Sequence, residues 1–280
     1  MSRTVLLTGG GRGLGRVMAH ALARDGHSLL LSSRSEDTLI QTAAECRAVG
    51  AAKVDYALAD LAIAGEAERL ADLALDLFGA IDILVNNAGI AINEVSKDYL
   101  TNPYRFWRSD RTIIERYLAI NTVAPMVLAI RLVDQMKQRG WGRIVANTTS
   151  LDTMLRSSLY GASKSALEAE TAIMANDLAG SGVTANVLVP GGGCGSRMTD
   201  DMGLPRDAVL PPEIMGPPMA FLASDASNHI NGRRIQARLW DASLPPLDAM
   251  GQAGDVIAWT GCGIQGVQPE ATKLSKPGQY

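Results

Sequence analysis

Cysteine is scarce in this chain. Cys46, Cys194 and Cys262 are the only three in 280 residues, and no two form a CxxC pair. That spacing excludes a disulfide framework and a cysteine-based zinc site, and it suits a reducing compartment. Histidine is just as sparse: His20, His27 and His229 have no metal-ligand spacing, so no metal is expected. An excess of one charge is also missing. The 26 Lys and Arg nearly balance the 29 Asp and Glu, for a net charge of -3, which provides no footprint for nucleic acid or an acidic membrane surface. No apolar run approaches the roughly 20 residues of a membrane span. The N-terminal "MSRTVLLTGGG" reaches glycine before a signal-peptide core could form. A cytoplasmic chain with neither a membrane nor a nucleic-acid partner is expected.

What is abundant is alternation. Short apolar runs, "TVLLT" (4–8), "SLLLSS" (28–33), "KVDYALAD" (53–60), "IDILVNNAG" (81–89), "GRIVANT" (142–148) and "VTANVLVP" (183–190), are separated by amphipathic stretches of helical period. Those helices are expected at 13–26, 35–50, 64–79, 111–138 and 158–180, several of them stopped by glycine. A last strand is expected at 233–239. Strands buried on both faces and joined by helices mean an α/β chain, a parallel sheet covered on both sides. No internal repeat or linker divides it. One domain over 1–240 is expected, with a lid-like insertion at about 91–110 and a Gly- and Pro-rich C-terminal extension over 241–280.

Between the first strand and first helix stands "TGGGRGLG", Thr8 to Gly15. In a doubly wound sheet, glycines there let the backbone approach a dinucleotide pyrophosphate, which the helix N-terminus attracts. It is not a phosphate-loop NTPase motif, because Arg16 and Val17 follow Gly15 where Lys and Ser/Thr would stand. The second strand ends in "SSRS". Ser33 replaces the carboxylate that would bind a free ribose hydroxyl, and Arg34 follows. With Arg12 in the glycine turn, the pair suits a 2′-phosphate and so NADP(H), with NAD(H) as the alternative.

"SLYGASKSAL" (158–167) sets Tyr160 and Lys164 one helical turn apart, on one face. An ammonium beside a phenol stabilises its phenolate and makes it a usable proton donor or acceptor near neutral pH. "GASKS" also approaches a nucleophile elbow. Ser165 stands where the second glycine would be, however, and no strand immediately precedes it, which excludes a serine hydrolase.

With these motifs in order, the chain resembles the short-chain dehydrogenase/reductases over about residues 4–239. The resemblance implies a Rossmann fold of seven strands ordered 3-2-1-4-5-6-7. It implies that Gly9, Gly11, Arg12, Gly13, Leu14 and Gly15 form the cofactor turn, with Ser33 and Arg34 at the ribose. Asp60 and Leu61 of "ADL" would meet adenine, and Asn87, Ala88 and Gly89 of "NNAG" would steady the sheet beside the cofactor. Asn121 of "NTVAP" would hold a water of the proton relay. Tyr160 would be the general acid/base, and Lys164 would hold the nicotinamide ribose. Pro190 and Gly191 would flank the nicotinamide, and Ser196 would contact its carboxamide.

The sequence departs from this pattern in three places. "ANTTSLDTM" offers both Thr149 and Ser150 for the substrate-binding hydroxyl. Ser150 is favoured by its chemistry, and the connection to Tyr160 is then short or bulged. Asp152 either lines the pocket or caps the turn. Tyr104, Phe106 and Trp107 in the insertion suit either a lid over an apolar substrate or packing against the domain or a neighbouring subunit, with Arg105 and Arg108 solvated. The usual glycine-rich end of the family is replaced by "LWDASLPPLDAM", which leaves a homodimer or homotetramer open. The expected activity is NADP(H)-dependent interconversion of a ketone or aldehyde and an alcohol on a small-molecule substrate. The alternatives are an NAD-dependent secondary alcohol or diol dehydrogenase and a non-catalytic NADP(H)-binding regulator.

Overall fold

The computed structural model describes residues 1–96, 98, 102–195, 197–201 and 203–259. The chain begins with β1 (Thr4–Thr8), α1 (Gly13–Arg24), β2 (Ser28–Ser33), α2 (Glu36–Ala48), β3 (Lys53–Leu58), α3 (Glu66–Phe78) and β4 (Ile83–Asn86). It continues through α4 (Arg111–Leu118), α5 (Ala124–Arg139), β5 (Gly142–Ala146), α6 (Leu151–Arg156), α7 (Tyr160–Asp177) and β6 (Val183–Val189). The last elements are α8 (Arg197–Asp201), α9 (Gly216–Leu222), β7 (Arg233–Gln236), α10 (Pro246–Ala253) and β8 (Gly254–Val256).

The strands lie in the order β3-β2-β1-β4-β5-β6-β7-β8, all parallel except β8. The seven strands and their order are those expected. β8 is an addition, paired antiparallel to β7 through Arg233↔Val256 and Ile235↔Gly254. Proline and glycine hide this last hairpin-like unit in the sequence: Pro246 opens a two-turn helix, where its missing N–H is harmless, and β8 has only three residues.

Strand alternation builds two cores. Val5, Leu7, Leu29, Leu31, Ile83 and Val85 point toward α1, α2 and α9 and meet Met18, Leu22, Leu39 and Met219. Leu6, Leu30 and Leu84 point the other way, onto Leu70 and Ala74 of α3 and Leu128, Leu132 and Met136 of α5. Each strand is therefore buried on both sides, which is why the runs read as continuous apolar stretches.

The expected single helix over 111–138 is α4 and α5 joined without a break by a π-helical turn, Ala119–Val123. By length and composition the helix 111–139 could cross a membrane. Its inner face lies in the second core instead, as in any core helix of a sandwich of this kind. The sheet reverses its winding between β1 and β4, and the loops at the carboxyl ends of these two strands open the crevice where ligands bind in such sheets.

Candidate active site

At the crevice the two central loops are tied together. The Thr8 hydroxyl accepts from the N–H groups of Asn87 (3.1 Å) and Ala88 (3.0 Å), while Asn87 Nδ2 donates to the carbonyls of Thr8 (2.9 Å) and Gly9 (3.1 Å). Gly9 takes φ +69°, a left-handed conformation that disfavours a side chain. Gly15 sits so close beneath this turn that a Cβ would lie 2.1 Å from the Gly9 carbonyl oxygen and 2.6 Å from Asn87 Nδ2. No described side chain caps α1, whose first residue Gly13 follows the extended Arg12, so its first-turn N–H groups face the crevice uncapped. The turn has the bare, close backbone that a pyrophosphate needs, and the residues fit a dinucleotide.

Ser33 lies at the end of β2, against Gly11, and its hydroxyl hydrogen-bonds within the following turn to Ser35. Arg34 and Arg12 are both exposed. Asp60 Oδ1 accepts from Ala62 N–H (3.0 Å), and Leu61 is buried in the second core, so this pair shapes the turn after β3. Gly191, at φ +90°, packs against the side chain of Arg238, whose N–H donates to the Pro190 carbonyl (3.0 Å). Leu14 packs on the first core. Ser196 lies outside the described residues.

The fully buried Asn121 is at the centre of the π-helical turn. Its Oδ1 accepts from Ile90 N–H (2.9 Å), and its Nδ2 donates to the Ile90 carbonyl (3.0 Å) and to Ser163 Oγ (2.9 Å). The side chain thus joins the loop after β4 to α7. A Cβ on Gly89 would approach Asn121 Oδ1 to 2.9 Å and Lys164 Nζ to 3.2 Å, which places Gly89, Asn121 and Lys164 together.

α7 presents Tyr160, Lys164 and Glu168 at successive turns of one face. Each meets one of three consecutive residues beyond β5. Lys164 Nζ donates to the Asn147 carbonyl (2.8 Å), the Thr148 hydroxyl donates to Glu168 Oε2 (2.7 Å), and the Thr149 side chain lies near enough to the Tyr160 phenol to lower its pKa. Burial pushes the Tyr160 pKa up, and the neighbouring Thr149 side chain partly offsets this. Burial also brings the Lys164 ammonium down, to about 8. In the chain alone the dominant influence on both groups is desolvation, which favours their neutral forms.

The connection to Tyr160 is neither a simple short loop nor a bulged strand. It folds into α6, and Ser150 is its N-cap. The Ser150 hydroxyl accepts from Thr153 N–H (3.1 Å) and bonds Thr153 Oγ1 (2.7 Å). Asp152 is exposed in the first turn of α6. The sequence favours Ser150 by chemistry; in the structure its hydroxyl caps α6, and the Thr149 side chain lies near the phenol. Between α6 and α7, Leu159 takes φ 60° and ψ -60°, and Tyr160 N–H closes on the Ser158 carbonyl at 2.6 Å. This γ-turn, of the hand that costs an L-residue about 1–3 kcal/mol, is what the short connection needs to aim Tyr160 into the site.

In the insertion, Phe106 and Trp107 are 72% and 66% exposed and stack edge to face on each other, their centroids 5.2 Å apart. Neither belongs to a buried cluster among the described residues. Tyr117, Ile90, Ile92 and Ile120 form the apolar wall around Tyr160. Among the described residues no group of three His, Cys, Asp or Glu could hold a metal ion.

Two residues of this site escape sequence reasoning: Glu168 and Arg234, which form a buried ion pair at 2.6 Å. The available signal is Glu168, an acidic residue eight positions after Tyr160 on the same buried helix face. Nothing in the sequence of β7 marks Arg234 apart from Arg233.

Comparison with known proteins places the chain in a family. The family model described as short chain dehydrogenase matches residues 3–205. The ketoacyl reductase HetN of Nostoc sp. is 35% identical over 201 residues, which cover 71% of this chain and 66% of that protein, just under two thirds of its length. The 3beta-hydroxysteroid dehydrogenase 2 of Eggerthella lenta is 28% identical over 249 residues, 83% of this chain and 92% of that protein. A solved short chain dehydrogenase/reductase family protein superposes with a TM-score of 0.68 at 27% identity, over 82% of this chain and 92% of its own.

Proposed function

The chain belongs to the short-chain dehydrogenase/reductase family, a group of oxidoreductases acting on CH–OH and C=O groups, and from that premise we propose that it is an NADP(H)-dependent reductase of a ketone or aldehyde. The observation that carries the reading is the face of α7: a buried phenol with the Thr149 side chain beside it, one turn from a buried ammonium anchored at 2.8 Å on the Asn147 carbonyl. A bound nicotinamide dinucleotide supplies the hydride chemistry, and the chain supplies binding, orientation and the proton. The glycine turn and the uncapped N-terminus of α1 would hold the pyrophosphate. Pro190 and Gly191 would flank the nicotinamide, and the turn after β3 that Asp60 and Leu61 shape would lie by the adenine.

Tyr160 acts as general acid. Burial keeps its proton on the phenol at neutral pH, and it donates that proton to the oxygen of the carbonyl being reduced. Thr149 shares the same oxygen through its hydroxyl and steadies charge developing there. Lys164, still mostly protonated at pH 7, stabilises the phenolate left behind. Asn121 keeps the loop after β4 in register with α7. Cofactor absorbance on a ketone panel, with NADPH and NADH in parallel, tests the reading; tight NADPH binding without turnover on any ketone or alcohol would select the regulator instead.

The choice between Thr149 and Ser150 is decided by two substitutions. T149V is expected to lower kcat roughly 10- to 100-fold, the loss of a hydrogen bond to a developing charge. S150A is expected to keep kcat and lose about 1 kcal/mol of stability with the α6 cap. The reverse pattern would reassign the hydroxyl.

NADP preference rests on Arg34 and Arg12, both exposed at the open end of the crevice, with no acid at Ser33. R34D is expected to weaken NADPH by roughly 10- to 100-fold, the worth of a charge-assisted contact, and to leave NADH nearly unaffected. Equal losses for both, measured as dissociation constants by fluorescence, would point to NAD.

The protein is further proposed to be a homo-oligomer in the cytoplasm. Val123 and Ile130 along the α4–α5 helix are 51% and 64% exposed, an apolar stripe suited to a second copy. Cys46 and Cys194 are buried free thiols, with pKa values pushed up by burial to about 12 and about 11, which suits a reducing compartment.

A further inference from the structure

Glu168 and Arg234 are charged residues placed where charge is costly. The Glu168 side chain is fully buried and that of Arg234 is 6% exposed. A buried ion pair is poor evidence of stabilisation, because desolvation offsets most of the attraction. The positions of the other bonds show what the pair can do instead. One arm of the Arg234 guanidinium, Nη1, bonds Glu168 Oε2 at 2.6 Å. The other arm, Nη2, donates to the backbone carbonyl of Thr149. The same Glu168 oxygen also accepts from the Thr148 hydroxyl at 2.7 Å, and Oε1 accepts from Ala258 N–H at 3.2 Å.

Arg234 therefore spans from α7 to the residue whose side chain meets the Tyr160 phenol. A planar fork suits this task, since fixing one arm fixes the direction of the other. The carboxylate that anchors the fork is itself held from two sides. Thr148 holds it from the loop after β5, and Ala258, with a left-handed φ of 70°, holds it from the segment after β8. Ile257 wedges that segment among Ala146, Leu167, Val187 and Val189.

We propose that Arg234 is a positioning residue: anchored on Glu168, it holds the Thr149 backbone so that the Thr149 hydroxyl stays on Tyr160 and on the substrate oxygen. The proposal rests on the reading of Tyr160 and Thr149 given above. It goes beyond that reading by giving β7 and the segment after β8 a part in setting the reaction geometry. A displacement of about 1 Å at a reacting group can cost on the order of 100-fold in rate.

The test uses the full-length protein and two variants. E168Q/R234M removes both buried charges together, so no uncompensated charge remains, and it is expected to melt near the wild-type temperature. R234K keeps the charge for Glu168 but loses the fork, and it guards against a double variant that fails to fold. Both are expected to bind NADPH as the wild type does and to lose roughly 10- to 100-fold in kcat, with a smaller change in KM. A purely structural pair predicts that kcat recovers wherever the melting temperature does. Wild-type kcat in either folded variant overturns the proposal.

A crystal structure of R234K gives a readout that does not depend on turnover. Thr149 displaced from the Tyr160 hydroxyl supports the proposal, and an unchanged Thr149–Tyr160 contact overturns it. If the wild-type protein turns over no carbonyl or alcohol, the functional reading fails by itself, and the Thr149 position in that structure still decides the positioning role.

Discussion

Replacing Tyr160 with phenylalanine is expected to lower kcat by roughly 100- to 10,000-fold, the usual worth of a positioned general acid. NADP(H) affinity is expected to hold, because the substitution removes one oxygen and keeps the ring in its apolar setting of Ile90, Ile92, Tyr117 and Ile120. Single-turnover rates and cofactor dissociation constants, measured side by side, separate the two effects. A Y160F protein that still reduces ketones at the wild-type rate would remove Tyr160 from the mechanism.

The pH profile adds an independent check. In the reduction direction the active form carries a proton on both Tyr160 and Lys164. Burial holds the phenol protonated beyond its ordinary range, so it does not limit activity in the neutral region. The Lys164 ammonium is the weaker holder, brought down to about 8. The sign follows: kcat/KM of the free enzyme is expected to be full below pH 8 and to fall as pH rises through 8, and the limb is expected to vanish in K164M. A limb on the acidic side only would contradict this assignment.

Gly15→Ala is expected to abolish cofactor binding, with a dissociation constant raised by 100-fold or more, about 2.7 kcal/mol. The added carbon would lie 2.1 Å from the Gly9 carbonyl oxygen and 2.6 Å from Asn87 Nδ2. Neither neighbour can yield cheaply. The Gly9 carbonyl already accepts from Asn87 Nδ2, and Asn87 also ties Thr8 to the loop after β4. Moving the turn disturbs the first two loops of the crevice together. Stability is expected to fall too, by the amount typical of overpacking, about 1–3 kcal/mol, and the melting temperature with it. Isothermal titration with NADPH and thermal melts in its absence distinguish lost binding from lost folding. Wild-type affinity in G15A would mean that the dinucleotide does not use this turn.

Much of the fold is legible in the sequence because its signals are local. The strand runs, the helical periods and the glycine turn depend on neighbours a few residues apart. The spacing of Tyr160 and Lys164 within one helical turn puts them on one face whatever the rest of the chain does. What was misread is mostly short. β8 has three residues and follows a helix opened by two prolines, so no period could be measured over it. The connection from Thr149 to Tyr160 reads as a loop because six residues are too few for a helical pattern to stand out, yet Ser150 caps them into α6.

The amino-acid sequence by itself determined the doubly wound architecture, the strand order through family resemblance, the glycine turn after β1 and the phenol–ammonium pair on one helix face. Only the tertiary structure shows Ser150 capping α6, since Thr149 and Ser150 are adjacent and nothing local says which side chain turns to a helix cap. Only the tertiary structure, too, brought Arg234 to Glu168 and Thr149, residues 66 and 85 positions away along the chain. The physical reason is the same in both cases. Local patterns encode period and propensity, whereas a hydrogen bond between distant residues exists only once the sheet has set their strands side by side.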